Sequence, residues 1–113
     1  ADGTESENEL NYKWTRHLSA KYHSAVAAAM HKADPNHLLL GIKFISQYQE
    51  ILDPVVQGAC PYLDAFSYNI YSFTPGHAYL DHYHELCGKP MVIGETGFVA
   101  TENLSGNRNT KGA

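Results

Sequence analysis

Apolar positions along this chain alternate between spaced and dense arrangements, and each arrangement predicts one kind of element. After a polar start, Trp14, Leu18, Tyr22, Val26 and Met30 recur at helical spacing, with Ala25, Ala27, Ala28 and Ala29 as strong helix formers among them. This predicts a long amphipathic helix with that apolar stripe as its packing face. Pro35, in Ala33-Asp34-Pro35-Asn36, stops it. His37-Leu38-Leu39-Leu40-Gly41-Ile42-Lys43-Phe44-Ile45 is a nearly continuous apolar run, too short for a helix and typical of a strand covered on both faces. A second helix is expected around 53–60, with Asp53 as N-cap and Pro54 at the first helical position. Asp64 to Tyr71 reads as an aromatic-rich strand. Thr74-Pro75-Gly76 makes a turn, a helix rich in His and Tyr covers about 77–86, and Gly88 ends it. The last strand runs through Lys89-Pro90-Met91-Val92-Ile93-Gly94-Glu95 and delivers a carboxylate at its tip.

Helix, strand, helix, strand, helix, strand gives an α/β chain with about three parallel strands. Side chains alternate faces along a strand, so Ala65, Ser67, Asn69 and Tyr71 share one side, and the bulkier Phe66, Tyr68 and Ile70 should meet the helices. The same alternation groups Gly41 with Lys43, and Met91 and Ile93 with Glu95. Each strand then places one polar group near its C-terminal end: Lys43, Tyr71 and Glu95. A cation and a phenol beside a carboxylate hold it ionised and oriented, which is what a carboxylate nucleophile needs. The alternative is three solvated residues at loop edges.

The formal charge of −4, spread without long acidic or basic blocks over 113 residues, gives no electrostatic case for nucleic acid or an anionic membrane as partner. No run approaches the ~20 apolar residues of a membrane span, and the polar first residues lack signal-peptide architecture, although a signal could precede them in a longer sequence. With 43% hydrophobic residues the chain is globular, one domain or a piece of one. Cys60 and Cys87 could form a disulfide or remain two buried thiols.

Several of these segments, taken in order, carry a resemblance. Asp34-Pro35-Asn36-His37-Leu38-Leu39-Leu40-Gly41, then Tyr62-Leu63-Asp64 leading into Ser67-Tyr68-Asn69-Ile70-Tyr71, then Lys89-Pro90 through Gly94-Glu95, resemble the later part of the clan A glycoside hydrolases, β-agarase and β-galactosidase-like families in particular. The terminal Asn109-Thr110-Lys111-Gly112-Ala113 is similar to the segment after the catalytic strand in some agarase-like members. The resemblance implies a partial (β/α)₈ barrel: strands five to seven of eight, the whole chain 1–113 being a fragment of a catalytic domain. It also implies a retaining glycosidase of β-linked galactose-type polysaccharide or oligosaccharide, secreted or periplasmic, with no cofactor and no metal. Glu95 would be the nucleophile, Tyr71 the tyrosine hydrogen-bonded to it, and Lys43 would stand where relatives often carry arginine. Tyr71, Asn69, Lys43 and His77 are then the substrate-binding candidates, with Phe73 and Phe98 as further residues lining a glycan cleft.

Retention requires a second carboxylate, and in clan A it follows an asparagine at the end of strand four. Asn8-Glu9 offers that pair, but Gly3-Thr4-Glu5-Ser6-Glu7 before it is too polar for a buried strand, so Glu9 reads more simply as an acid at a helix start. Without Glu9 the general acid is missing from the chain, and three strands of a barrel leave two unpaired edges, which predicts self-association and makes the remainder of the barrel a required partner. The runner-up reading is a non-catalytic α/β module that binds a glycan or a partner at the same strand tips. A third is a small metal-binding protein using His77, His82, His84 and Cys87, of which only His84 and Cys87 have good i, i+3 spacing. Trp14 and the tyrosines at 22, 48, 62, 79 and 83 sit on helices and connectors, where packing is expected rather than stacking on sugar rings.

Overall fold

Ser6 opens the first helix of the computed structural model, which describes residues 6–45, 49–71 and 77–97. Its hydroxyl accepts the Glu9 backbone N–H while the Glu9 carboxylate accepts the Ser6 N–H at 3.0 Å, a reciprocal capping box that satisfies two orphan donors of helix α1, Glu7–Ala33. Glu7 and Glu9 in the first turn and His31 and Lys32 in the last complement the helix dipole. At the far end the Asp34 N–H closes on the Met30 carbonyl and Pro35 follows, ending the helix where expected.

The face that α1 buries is not its large apolar stripe. Ser19, His23 and Ala27 are its buried residues, whereas Trp14 is 61% exposed and Tyr22 56%, with Leu10, Leu18 and Met30 also outward. The cause lies in the second helix, α2, Gln49–Ala59. A Cβ on Gly58 would stand 2.4 Å from the Arg16 carbonyl oxygen and 2.7 Å from Ser19 Cβ, so the helices nearly touch backbone to backbone, and only small side chains on α1 permit that approach. Ser19 strengthens the crossing by donating its hydroxyl to the Val55 carbonyl at 2.6 Å. His23 Nδ1 lies 2.9 Å from the Ser19 carbonyl, and its ring stacks on Phe44.

Asp53 is likewise not the cap of α2. The helix begins four residues earlier, at Gln49, and Pro54 lies inside its second turn. Asp53 instead faces helix α3, His77–Cys87, where its carboxylate meets His82 Nε2 at 2.9 Å in a partly buried pair. A tertiary partner outweighs the local capping preference here, and Leu52, Pro54 and Val56 enter the interior.

Two parallel strands lie on either side of α3 in the chain: β1, Phe66–Ile70, paired with β2, Met91–Thr96. The expected strand over 37–45 is reduced to a single bridge. Phe44 donates to the Ser67 carbonyl at 3.0 Å and accepts from Asn69 N–H at 2.8 Å, parallel to β1, but Gly41 at φ +74° breaks the extended conformation before it. Leu39 is held separately: its N–H donates to the Asp64 carboxylate at 2.7 Å and its carbonyl accepts the Asp64 N–H. The Leu39 N–H donated to the carboxylate, with His31 nearby, holds the Asp64 carboxyl below its usual value.

The core lies between the sheet and α2 and α3. Phe44 stacks on Phe66 with centroids 4.6 Å apart, and Tyr83 of α3 lies 5.3 Å from Tyr68 and 5.7 Å from Phe66, with Leu52, Val56, Ala59, Leu63 and Ile70 filling around them. Tyr83 and Tyr62 are thus accommodated on the packing side or partly so, while Trp14, Tyr22 and Tyr79 depart from the expected packing role. Cys60, in the single 3₁₀ turn after α2, is disulfide-bonded to Cys87 at the end of α3, settling the choice that spacing left open.

Two stability outcomes follow. Gly58→Ala forces α1 and α2 apart against rigid backbone and is expected to cost about 1–3 kcal/mol in urea unfolding. Replacing both Cys60 and Cys87 by Ser opens a closure of 27 residues and is expected to cost about 3–4 kcal/mol on the chain-entropy scale, visible as a lower denaturation midpoint.

Candidate active site

Lys43, Tyr71 and Glu95 come from segments separated by up to 52 positions in sequence, and the sheet brings them into contact. Lys43 Nζ donates to Glu95 Oε1 at 2.6 Å, and the Tyr71 hydroxyl donates to Glu95 Oε2. Each carboxylate oxygen therefore has its own donor, one cationic and one neutral. The Lys43 side chain is 59% exposed and that of Glu95 42%, so the group opens to solvent rather than being closed in the core.

How Glu95 reaches this position differs from simple alternation. Phe66 pairs with Met91, Ser67 with Val92 and Tyr68 with Ile93, but Asn69 pairs with Glu95, and Gly94 is passed over. Because directly paired residues point to the same side, Met91 and Ile93 share the face of Phe66 and Tyr68, not that of Glu95. The register slip of one residue is what turns Glu95 to the side of Ser67, Asn69 and Tyr71. Glycine is required at the slip: a Cβ on Gly94 would lie 2.4 Å from Ser67 Oγ and 3.1 Å from Asn69 Oδ1. The sequence signal was present, since a lone glycine inside a strand pattern marks a bulge or a close approach.

The electrostatics follow from the contacts. The Glu95 carboxyl is held below the ordinary glutamate value, first by the hydrogen bond from Lys43, then by that from Tyr71, then by the Lys43 charge, with slight opposition from desolvation. The Tyr71 phenol moves the other way, raised first by donating to Glu95 and then by desolvation and the Glu95 charge, while a hydrogen bond with Asn69 pulls it back down. Near neutral pH the site is a carboxylate, a protonated phenol and an ammonium. That is an oriented anion at the C-terminal ends of parallel strands, able to act as a nucleophile or to bind a cationic or hydroxyl-bearing ligand.

Asn69 sits beside the triad, paired across the strands with Glu95 and only 8% exposed. His77 begins α3, but its side chain lies outside the described residues, as do Phe73, Phe98 and Tyr48. Glu9 is not among the residues that meet Glu95; it spends its carboxylate on the α1 capping box. Among the described side chains, the His and Cys of α3 do not converge as ligands: Cys87 is in the disulfide, His82 faces Asp53, and His84 Nδ1 lies 3.1 Å from the Lys89 carbonyl. Among the described residues no group of three or more His, Cys, Asp or Glu side chains could hold a metal ion. No helix among them is long and apolar enough to cross a membrane.

Compared with known proteins, the chain is similar to Beta-agarase B of Vibrio sp. (strain JT0107), with 38% identity over 93 residues. The alignment takes in 76% of this chain and 9% of that protein, so the chain spans less than a tenth of the length of the curated relative it matches. No family model matches the chain, and no solved structure matches it. The similarity points to a relationship with glycoside hydrolases.

Removing the cation tests the electrostatic description. In Lys43→Met the Glu95 carboxyl is expected to titrate at higher pH than in the wild type, read by carbon NMR of the side-chain carboxyl. The linkage has a definite sign: a depressed folded value means that the stabilisation is fully present above the ordinary glutamate value of about 4.3 and is lost as pH falls through the lower folded value. Lys43→Met is therefore expected to flatten the acid side of the stability curve by lowering its neutral plateau, by a small amount because the pair is exposed, and to leave stability below the folded Glu95 value unchanged.

Proposed function

We propose that this chain is part of the catalytic domain of a retaining glycoside hydrolase acting on β-linked galactose-type polysaccharide, with Glu95 as the nucleophile. The observation that carries the reading is Glu95 at the end of β2 with Lys43 on one oxygen and the Tyr71 hydroxyl on the other. Both contacts favour the anion, and both leave the carboxylate at a solvent-open strand tip that a sugar ring can approach. The similarity to Beta-agarase B supports the substrate class.

In this mechanism a Glu95 oxygen attacks the anomeric carbon as the bond from that carbon to the leaving oxygen breaks, and a second carboxylic acid protonates the leaving oxygen. A covalent glycosyl-enzyme results. Water, deprotonated by the second carboxylate, then attacks the same carbon and frees Glu95. Retention places the two carboxyl groups about 5–5.5 Å apart. Glu9 is committed to the helix cap, so the second acid is assigned to another part of a longer polypeptide.

The same proposal makes the chain a section of a (β/α)₈ barrel, with the Phe44 segment, β1 and β2 as successive parallel strands and α2 and α3 as crossovers. Three features favour a structural partner: the outward apolar stripe of α1, the exposed Leu38, Leu40, Ile42 and Ile45 before and after the Phe44 bridge, and the exposed Val92 and Ile93 of β2. The remainder of the barrel is the partner that would cover them. The Cys60–Cys87 disulfide fits an oxidising compartment, the periplasm or the outside of the cell.

The test uses the longer polypeptide incubated with a 2-deoxy-2-fluoro-galactoside bearing a good leaving group. The expected outcome is a covalent sugar adduct mapped by mass spectrometry to the peptide holding Glu95, together with a loss of turnover of roughly 10⁴-fold or more in Glu95→Gln with sugar binding retained. Unlabelled Glu95 or near-normal turnover of Glu95→Gln overturns the nucleophile assignment. Sugar binding without turnover in the wild type favours a non-catalytic glycan-binding module instead.

A further inference from the structure

Asn69 is buried with an amide oxygen that has no hydrogen-bond partner among the described residues, an arrangement that folded proteins seldom keep without a use for the other end of the group. That oxygen lies 3.1 Å from where a Gly94 Cβ would be, against a backbone that offers it no donor. Asn69 and Tyr71 are two apart on one strand face, and Asn69 is the cross-strand partner of Glu95.

We propose that Asn69 is a positioning residue whose amide N–H donates to the Tyr71 phenol oxygen, so that the single phenol proton is aimed at Glu95 Oε2. Hydrogen-bond inventory leads to this direction. An ionised carboxylate only accepts, so the phenol proton goes to Glu95 and the phenol oxygen is left as an acceptor. Of the two ends of the Asn69 amide, only the nitrogen can serve an acceptor, and turning it toward Tyr71 necessarily turns the oxygen toward Gly94. The orphaned oxygen is thus the consequence of the useful contact rather than a defect. The Tyr71 phenol feels this bond, since an Asn69 side-chain hydrogen bond opposes the upward pull of Glu95 on it. The narrow space beside Gly94 holds the amide in place, so the same glycine that turns Glu95 toward the site also seats the group that orients Tyr71.

As a role in glycoside cleavage this inference rests on the reading of Glu95 as nucleophile, but its test needs no turnover, so either can fail without the other. Carbon NMR of the Glu95 carboxyl is followed with pH in the 113-residue chain and its variants. Tyr71→Phe is expected to raise the Glu95 midpoint, Asn69→Ala to raise it by a smaller amount, and the double variant to match Tyr71→Phe alone, because Asn69 acts through the phenol. Lys43→Met combined with Asn69→Ala is expected to give the sum of the two separate shifts. An unmoved midpoint in folded Asn69→Ala overturns the proposal, and so does a double variant with Tyr71→Phe that shows the full sum. Should Asn69→Ala fail to fold, the wild type alone decides: the Asn69 amide nitrogen resonance is expected to move as Glu95 titrates and to lose that response in Tyr71→Phe. A nitrogen resonance indifferent to the titration, or one that responds equally in Tyr71→Phe, overturns it.

Discussion

Between the paired residues Tyr68–Ile93 and Asn69–Glu95, β2 carries one surplus residue, Gly94, and the placement of the candidate chemistry follows from how that residue is accommodated. A side chain there would collide with Ser67 and crowd Asn69, so only glycine lets the strands stay hydrogen-bonded through the slip. Beyond it the parity of β2 is reversed relative to β1. Met91 and Ile93 stay on the side of the aromatic core, while Glu95 emerges among Asn69, Tyr71 and Lys43. Without the slip, the same strand would direct its carboxylate toward Phe66 and Tyr68, where an unpaired charge would be strongly disfavoured.

The rest of the described chain supports that strand pair from one side. Phe66 and Tyr68 anchor the sheet on Phe44, Val56 and Tyr83, and the disulfide ties the ends of α2 and α3 beneath it. The His82–Asp53 pair adds a polar link between the same two helices. Helix α1 is in turn joined to α2 by a close contact of small residues, and its large apolar groups look outward. The site is therefore rigidly backed toward the core and open toward solvent. The Glu95 carboxylate thus has a donor on each oxygen while its approach from solvent stays free.

Much of this was legible in the residues. The three helices and the two strands of the described residues follow from spacing, from Pro35 after α1 and from Gly88 after α3, all of which act within a few residues. The grouping of Lys43, Tyr71 and Glu95 was also legible, as polar groups at the ends of apolar runs. For Glu95 the alternation behind that grouping did not hold, and the bulge at Gly94 supplied the face that strict alternation had assumed. Gly41 similarly stood in plain view within the 37–45 run, yet neither its positive φ nor the Leu63 side chain 2.8 Å from where its Cβ would stand is visible in the local pattern.

By itself the sequence determined the type and order of α1, α2, β1, α3 and β2, though not the fate of the 37–45 run, because helical and strand periodicities and breakers are properties of neighbouring residues. It determined which residue types end each strand. Tertiary structure alone decided which face of α1 is buried, since Trp14, Leu18 and Tyr22 make as good an apolar stripe as any core helix and yield only to the close approach of Gly58. It decided that Asp53 serves His82 rather than a helix start, that Cys60 meets Cys87, and that Glu95 turns toward Tyr71 and Lys43. Register, helix separation and side-chain pairing all couple residues far apart in the chain, and a local pattern carries no record of the distance at which they meet.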